Sequence, residues 1–474
     1  MRISVVAVAE KVVPGAWREK AVGLAARADA MIEGRDDRAL AQRTALVAFA
    51  IRVASAVLAY LSQIVMARLL GTYDYGIYVV VWVWLLILGA LTSLGFGTSV
   101  LRYIPEFIAT ERPDMLRGML FGSRVFGVLA ASALALAGIA GAWAFGDFIG
   151  EHYLVPIYLA AICLPMMTLI EVQDGIARAF DWIDLALAPP YLVRPLMILV
   201  FLGAAAYFAE ASVTTAMIAS ILATWATAVG QLVLLERRLG RNVPKGPRTI
   251  TAMPWIMASL PMFLIEGFFV LLTNTDVIVA GWYLPPEDIA VYFAVVKTLA
   301  LVHFVYFAVR AASAHKFSQY HAAGDRARLE DFIQDSVRWT FWPSFAVSVA
   351  MLLGGRLFLM LFGPEFVDGY PLVFVLVLGV LARASVGPAE ALLTMSGQQR
   401  LCATIYAMTF ALNFALNVLL IPMIGLMGAA IATTIAIGFE SIMLFLAARD
   451  RLGLHVFVWR PAGRGVTRTE AQRQ

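Results

Sequence analysis

Charged residues are scarce in this sequence, and several kinds of site are missing. Asp, Glu, Lys and Arg make up 14% of the chain, against roughly 25% in soluble domains. Its two cysteines, Cys163 and Cys402, lie in apolar runs without zinc or redox spacing. No GxxxxGK[ST] loop is present, which argues against ATP-driven transport by this chain alone. A soluble fold, a disulfide framework and a cysteine metal site are therefore excluded.

Long apolar segments fill the sequence instead. Hydrophobic residues make up 61% of it, and the mean hydropathy is +0.81. A membrane-spanning helix needs about twenty such residues. The segments predict an all-α integral membrane protein with twelve transmembrane helices, six on each side of the polar stretch ERRLGRNVPKGPR. The predicted parts are an N-terminal tail (1–43), a six-helix lobe (44–235), a basic linker (236–252), a second six-helix lobe (253–448) and a C-terminal tail (449–474).

The basic residues predict the orientation, because positive charge is retained on the cytoplasmic side of a membrane. Most Lys and Arg residues lie in the two tails and in alternate loops, so both termini are expected to be cytoplasmic. The opposite loops carry acidic residues and no Lys or Arg, although Arg68 lies at their rim; the acidic residues are Asp74, Asp147, Glu151, Glu210, Glu287, Asp288, Glu365 and Asp368. Since the basic residues sort by membrane side, the pI near 9.0 does not indicate a nucleic-acid partner.

The two halves of the chain are related by an internal repeat. At one constant offset, LLGTYDYGIY (69–78) aligns with YLPPEDIAVY (283–292), and Arg102, Arg112 and Arg124 align with Lys316, Arg326 and Arg338. Because each half has an even number of spans, the lobes are expected to be related by a pseudo-two-fold axis along the membrane normal. Two such lobes rocking about a central site give alternating access, whereas a duplicated bundle without transport is the alternative.

Two stretches of the chain resemble the polysaccharide and oligosaccharide (O-antigen-type) flippases of the MATE-like superfamily. The first contains ARLLG (67–71) and YGIY (75–78), and the second, which supports it, is TNTDVIVAGWYLPPEDIAVY (273–292). The likeness covers roughly residues 44–448. It implies a bacterial inner-membrane transporter, with no enzymatic activity or cofactor, for surface polysaccharide (lipopolysaccharide O-antigen) synthesis. It would move a polyprenyl-pyrophosphate-linked oligosaccharide from the cytoplasmic to the outer leaflet. Implied partners are this substrate, the bilayer, a proton or sodium ion, and other polysaccharide-assembly membrane proteins.

Five cationic residues inside predicted spans are candidates for binding a pyrophosphate, because ionisable groups are costly in the bilayer and guanidinium forks pair well with phosphate oxygens. They are Arg52, Arg124, Arg194, Lys297 and Arg383. For Arg124 and Arg194 the alternative is that the side chain extends to the cytoplasmic interface.

Other polar residues suggest ion coupling, gating or internal pairing. Asp276, Asn274 and Glu266 are candidates for ion coupling or gating, the first two by binding a proton or sodium ion. Glu266 lies at a depth similar to that of Lys297, so a buried pair between them is either structural or breaks during the transport cycle. Pro261 removes a helix hydrogen bond and predicts either a gating hinge or a static kink. A stripe of Glu171, Asp174 and Arg178 on one helix face predicts a self-paired structural network, with a functional role as the alternative.

Two other functions compete with a flippase. An ion-coupled drug or cation exporter of the same superfamily would favour a cavity rich in carboxylates and aromatic residues. A polytopic glycan polymerase or ligase would usually need a sizeable outward loop, which this sequence lacks. The DWID stretch (181–184) has paired carboxylates that could hold a metal, but the favoured interpretation is a solvated interfacial loop.

Overall fold

The structure is a computed structural model that describes residues 37–148, 150–208 and 210–459. The predicted tails lie mostly outside these ranges. The described part is built from helices: α1 (Asp37–Thr92), α2 (Phe96–Ala109), α3 (Pro113–Ala144), α4 (Glu151–Ala179), α5 (Ile183–Ala188), α6 (Arg194–Phe208), α7 (Val213–Asn242), α8 (Ala252–Leu272), α9 (Thr275–Tyr283), α10 (Pro286–Ala322), α11 (Arg326–Met360), α12 (Tyr370–Val386), α13 (Ala389–Met395), α14 (Gln399–Ile424) and α15 (Leu426–Leu452).

Within the described residues, ten helices are long and apolar enough to cross a membrane. The first extends over 59 residues, Ile51–Ala109, and is broken at Gly71. Gly71 has φ 72° and ψ 176°, a conformation that only glycine adopts without strain, so the axis changes direction there. The apolar segments predicted from hydropathy are therefore helical, as expected.

Three further apolar segments contain an interruption. A π-helical turn (Pro189–Val193) joins α5 to α6, because successive prolines cannot donate the α-helical hydrogen bonds. Thr273 and Asn274 separate α8 from α9, and Gly387 and Pro388 separate α12 from α13. Irregular backbone at membrane depth is tolerated only where protein or a cavity surrounds it. The interior beside these breaks is therefore where a cavity or a binding site is expected.

The centre of the molecule is formed by α1 and α10, which pack along each other. The largest buried apolar cluster is built mainly from these two helices and α12. Around them, α3, α4 and α7 pack on the side of α1, while α11, α12 and α15 pack on the side of α10. The junction between the first and second halves of the chain is therefore made largely by one helix from each.

Candidate functional site

A crevice of about 550 Å³ lies between α1, the π-helical turn and α10. It is lined by Ile51, Arg52, Ser55, Ala56, Leu187, Tyr191, Phe304, Phe307, Ala308, Ala311 and Ala312. The residues from α1 and α10 recur at intervals of three, four or seven, so each helix turns one continuous face to the crevice. Lys316 in the last part of α10 and Arg326 and Arg328 at the start of α11 follow these residues in the chain, and we call this side of the molecule the basic end.

Arg52 is the cation of this crevice. Its side chain is exposed, and no carboxylate among the described residues lies within 4 Å of its guanidinium group. The nearby Asp174 carboxylate is paired with Arg178 across one helical turn at 2.7 Å. This ion pair confirms the self-pairing predicted for Asp174 and Arg178. It leaves the Arg52 guanidinium available to an anion that enters the crevice.

Lys297 lies on the crevice face of α10, two turns before Phe304. Its ammonium is 4.5 Å from the centre of the Phe293 ring, and it forms no ion pair with a described carboxylate. The side chain of its predicted partner, Glu266, lies outside the described residues. Lys297 therefore shares a helix face with the residues of α10 that line the crevice, but it does not line the crevice itself.

Arg194 lies one turn after Tyr191 but points away from the crevice. Its Nη1 donates to the Met167 sulfur at 2.9 Å, and its guanidinium lies 5.8 Å from the Trp82 ring centre. Its buried Nε has no hydrogen-bond partner among the described residues. In this conformation the guanidinium is thus packed inside the first half of the chain, behind the crevice wall.

Arg124 and Arg383 are held by acidic residues elsewhere. Nη1 of Arg124 lies 2.5 Å from Oε1 of Glu236, and its Nε donates to the Leu120 carbonyl. Nη2 of Arg383 lies 2.6 Å from Oε2 of Glu440, whose side chain is only 3% exposed. Of the five predicted cations, the structure thus brings Arg52 into the crevice. Lys297 lies on the same face of α10 without lining the crevice, and the other three are bound elsewhere.

We expect Arg383→Met to destabilise the protein strongly, because it leaves the buried Glu440 carboxylate without a counter-charge. Removing one partner of a buried ion pair costs about 3–5 kcal/mol, whereas replacing both is often nearly neutral. Thermal unfolding in detergent should therefore show a large loss for Arg383→Met and recovery in Arg383→Met/Glu440→Met. Equal unfolding temperatures of wild type and the single variant would contradict this.

A second ion pair, whose carboxylate is buried and whose arginine is partly exposed, lies near the α12–α13 break. Nε and Nη2 of Arg310 contact the two carboxylate oxygens of Glu390 at 2.6 and 3.1 Å. Arg310 lies inside α10, which continues to Ala322. Together with Arg383–Glu440, this pair joins helices of the second half through opposite charges.

The end of the molecule opposite the crevice is closed, and we call it the closed end. Gly76 lies so near Pro286 that a Cβ atom on it would overlap the Pro286 carbonyl oxygen. The side chain of Arg68 donates to the carbonyls of Leu361 and Met360, at 2.6 and 2.7 Å, and so caps the C-terminus of α11. Asp74 and Glu287 flank this contact in the sequence. The aligned repeat segments, 69–78 and 283–292, thus meet each other here.

Aromatic side chains fill the space between the closed end and the crevice. The buried Tyr75 ring packs edge-on against Phe293 and Phe366, and Tyr60 packs edge-on against Phe362. The hydroxyls of Tyr60 and Thr298 lie 3.3 Å apart, joining α1 to α10. The crevice therefore has no open route to the closed end in this conformation.

Asp276 is buried at the start of α9. Its carboxylate accepts hydrogen bonds from the Tyr292 hydroxyl at 2.6 Å and from the Val277 backbone N–H at 2.9 Å. Asn274 precedes α9 and donates to the Val270 carbonyl. The helix continues through position 261 and is interrupted at Thr273–Asn274, although the Pro261 side chain lies outside the described residues. The break in this span thus lies beside the buried carboxylate.

The DWID stretch holds no metal cluster. Both carboxylate oxygens of Asp184 pair with Arg238, at 2.5 and 3.0 Å. The residues that the structure describes contain no group of three or more His, Cys, Asp or Glu side chains placed to bind a metal. Asp184 therefore has a structural partner that joins α5 to α7.

Solved structures share this fold at low sequence identity. An inward-facing multidrug-resistance MATE family transporter of the MOP superfamily matches with a TM-score of 0.69 and 16% identity, covering 84% of this chain and 94% of that chain. The lipid II flippase MurJ in an inward closed conformation matches with a TM-score of 0.68 and 14% identity, covering 85% and 88%. The chain is thus a helical membrane protein with a MATE-like fold.

The sequence profile of a family described as polysaccharide biosynthesis protein matches residues 42–319. The chain belongs to this family, and the resemblance inferred from its repeat segments to the MATE-like polysaccharide flippases is confirmed. No curated protein matches the sequence.

Proposed function

We propose that this protein flips a polyprenyl-pyrophosphate-linked oligosaccharide from the cytoplasmic to the outer leaflet of the bacterial inner membrane. The single observation that carries the proposal is the crevice between α1 and α10. At its basic end it holds an arginine without an ion-pair partner among the described residues, and the opposite end of the molecule is closed. An anionic headgroup that approaches from the cytoplasm would meet Arg52 first and Lys297 next. Surface polysaccharide synthesis of the O-antigen type is the process that the family suggests.

The topology that we propose has twelve crossings and cytoplasmic termini. Counting Ile51–Ala109 as two crossings and α8 with α9 as one turns the ten apolar helices into twelve. The crevice then opens to the cytoplasm, in agreement with the retention of basic residues on that side. The lobes 44–235 and 253–448 would rock about α1 and α10, and the contact at Gly76 would open as the crevice closes.

The membrane potential can drive such a step. A pyrophosphate diester carries about two negative charges, and moving them outward across an inside-negative membrane releases about 4–5 kcal/mol per 100 mV. Arg52 and Lys297 would lower the cost of bringing these charges to mid-membrane. Arg124, Arg194 and Arg383 would join them only if their present contacts break during the cycle.

The proposal is tested by reconstituting the protein in vesicles and measuring leaflet exchange of a fluorescent polyprenyl-pyrophosphate oligosaccharide. Exchange should depend on the protein. When the substrate starts on the crevice side, the rate of exchange should rise with a membrane potential that is negative on that side. The alternative, an ion-coupled exporter of cations, is favoured by the buried Asp276 carboxylate. It would instead transport a cationic dye in the same vesicles, and exchange of the dye alone would contradict the flippase assignment.

Asp276 provides a separate test of ion coupling. If it binds the coupling proton or sodium ion, Asp276→Asn should abolish the dependence of transport on an imposed ion gradient, because the amide cannot carry the charge. Tyr292→Phe removes the hydrogen bond but keeps the carboxylate, and should therefore retain that dependence. Measurement of exchange with and without a pH or sodium gradient checks both variants. An unchanged gradient dependence in Asp276→Asn would assign Asp276 a purely structural role.

A further inference from the structure

A second cavity, which we call the side cleft, lies in the half of the molecule that contains the closed end. Its volume is about 950 Å³, and it is enclosed by α1, α3, α4 and α9. Its walls are mostly apolar and include Val80, Trp84, Leu88, Leu134, Ile157 and Trp282. Trp84 and Leu134 are each 37% exposed and Trp282 is 55% exposed, so the cleft opens on the side of the helix bundle.

The position of the side cleft indicates what can fill it. It extends along the half of these membrane-crossing helices that lies nearer the closed end, so its opening on the side of the bundle would face hydrocarbon. Water is poorly held by a cavity with apolar walls. Its volume lies at the upper end of the roughly 300–1,000 Å³ found for ligand sites. A hydrocarbon chain is therefore the ligand whose chemistry matches these walls.

One end of the side cleft is polar. Tyr153 and His152 line it in the first turn of α4, and their rings lie 4.3 Å apart. The Tyr153 hydroxyl is buried and has no hydrogen-bond partner among the described residues. Leaving a buried hydroxyl without a hydrogen-bond partner costs free energy. A phosphate oxygen is a strong acceptor for the hydrogen bond that this hydroxyl can donate. The ligand is thus an amphiphile with its polar group at the end of α4 and its chain along α1 and α3.

We propose that the side cleft binds the isoprenoid chain of the lipid carrier after its headgroup has crossed the membrane, with a phosphate oxygen on Tyr153. This rests on the proposed function. A polyprenyl carrier has a single chain, whereas a phospholipid would leave its second chain outside this one cleft. Val80 of α1 contacts Gly281 of α9 at the cleft wall, where a Cβ on Gly281 would come within 3.3 Å of the valine. The width of the side cleft therefore changes when the two halves of the chain move relative to each other.

Two glycines of α3 provide a matched test. A Cβ atom on Gly138 or on Gly141 meets no other atom within 4 Å, so either position accepts a larger side chain, but only Gly138 lines the side cleft. Vesicles of phosphatidylethanolamine and phosphatidylglycerol containing the protein are irradiated with a photoreactive polyprenyl phosphate, and labelled peptides are identified. We expect Gly138→Trp to reduce labelling of the cleft peptides about tenfold, and Gly141→Trp to leave it unchanged.

A second variant examines the polar end. Tyr153→Phe should weaken labelling by the polyprenyl phosphate but not by a photoreactive polyprenol, which lacks the phosphate. Labelling that is unaffected by Gly138→Trp, or that excess phosphatidylglycerol displaces as well as unlabelled polyprenyl phosphate does, would overturn the proposal. Labelling requires no oligosaccharide transport. Cleft labelling without leaflet exchange would therefore count against the proposed function alone, and exchange without cleft labelling against the side cleft alone.

Discussion

Replacing Arg52 with alanine should slow leaflet exchange of a polyprenyl-pyrophosphate oligosaccharide about 10- to 100-fold. Arg52 is the cation of the crevice, and it forms no ion pair with a described carboxylate; the nearby Asp174 is bound to Arg178. Loss of charge-assisted hydrogen bonds to a phosphate costs about 1.5–3 kcal/mol, which corresponds to that range of rates. Exchange is measured in vesicles by quenching of a fluorescent headgroup from one side. Arg52→Lys should retain part of the activity, because it keeps the charge but loses the planar fork.

Arg124→Ala is the matched control for this prediction. It also removes a guanidinium group from the first half of the chain, but one that already pairs with Glu236, whose side chain is 55% exposed. Water can solvate the remaining carboxylate, so exchange should change by less than about twofold. If Arg52→Ala behaves like Arg124→Ala, the crevice is not where the pyrophosphate binds.

Gly76→Val should prevent the closed end from forming and thereby stop the transport cycle. Its side chain would occupy the place of the Pro286 carbonyl, and overpacking of this kind costs about 1–3 kcal/mol. The equilibrium between open and closed forms should shift about 10- to 100-fold towards opening at this end. A cysteine placed at Thr298, in a protein whose native cysteines are replaced by alanine, reports the change. It should become reactive to an impermeant maleimide added from the closed-end side.

The control for Gly76→Val is Gly230→Val in α7. A Cβ atom at Gly230 meets no atom within 4 Å, so the same chemical change carries no steric cost there. The cysteine at position 298 should then remain protected, and transport should continue. Protection that persists in Gly76→Val together with normal exchange would show that this contact does not gate the protein.

The sequence predicted the helices better than the contacts between their charged residues. Hydropathy alone indicates the apolar helices, because the bilayer requires a minimum apolar length. The internal repeat also identified segments 69–78 and 283–292, which meet at the closed end. Partners such as Glu440 for Arg383 were not predicted, because pairing depends on how each helix rotates about its axis. Hydropathy does not encode that rotation when most faces of a helix are apolar.

Arg310 and Arg68 illustrate the same difficulty at helix ends. Arg310 lies in the last part of α10, and its guanidinium pairs with Glu390, which is far from it in the sequence. Arg68 was recognised only as a residue at the rim. Its acceptors are backbone carbonyls, which every residue has, so no sequence pattern could have identified them. Both roles follow from tertiary geometry.

The choice of acceptors for Arg68 has an evolutionary consequence. Since the bonds go to the main chain of Met360 and Leu361, side-chain changes at those two positions leave the bonds intact. The α11 terminus is therefore free to vary in composition but not in length, because inserting or deleting one residue there would rotate the carbonyls by about 100° away from the guanidinium. Related chains should accordingly tolerate point changes at 360–361 much better than insertions or deletions.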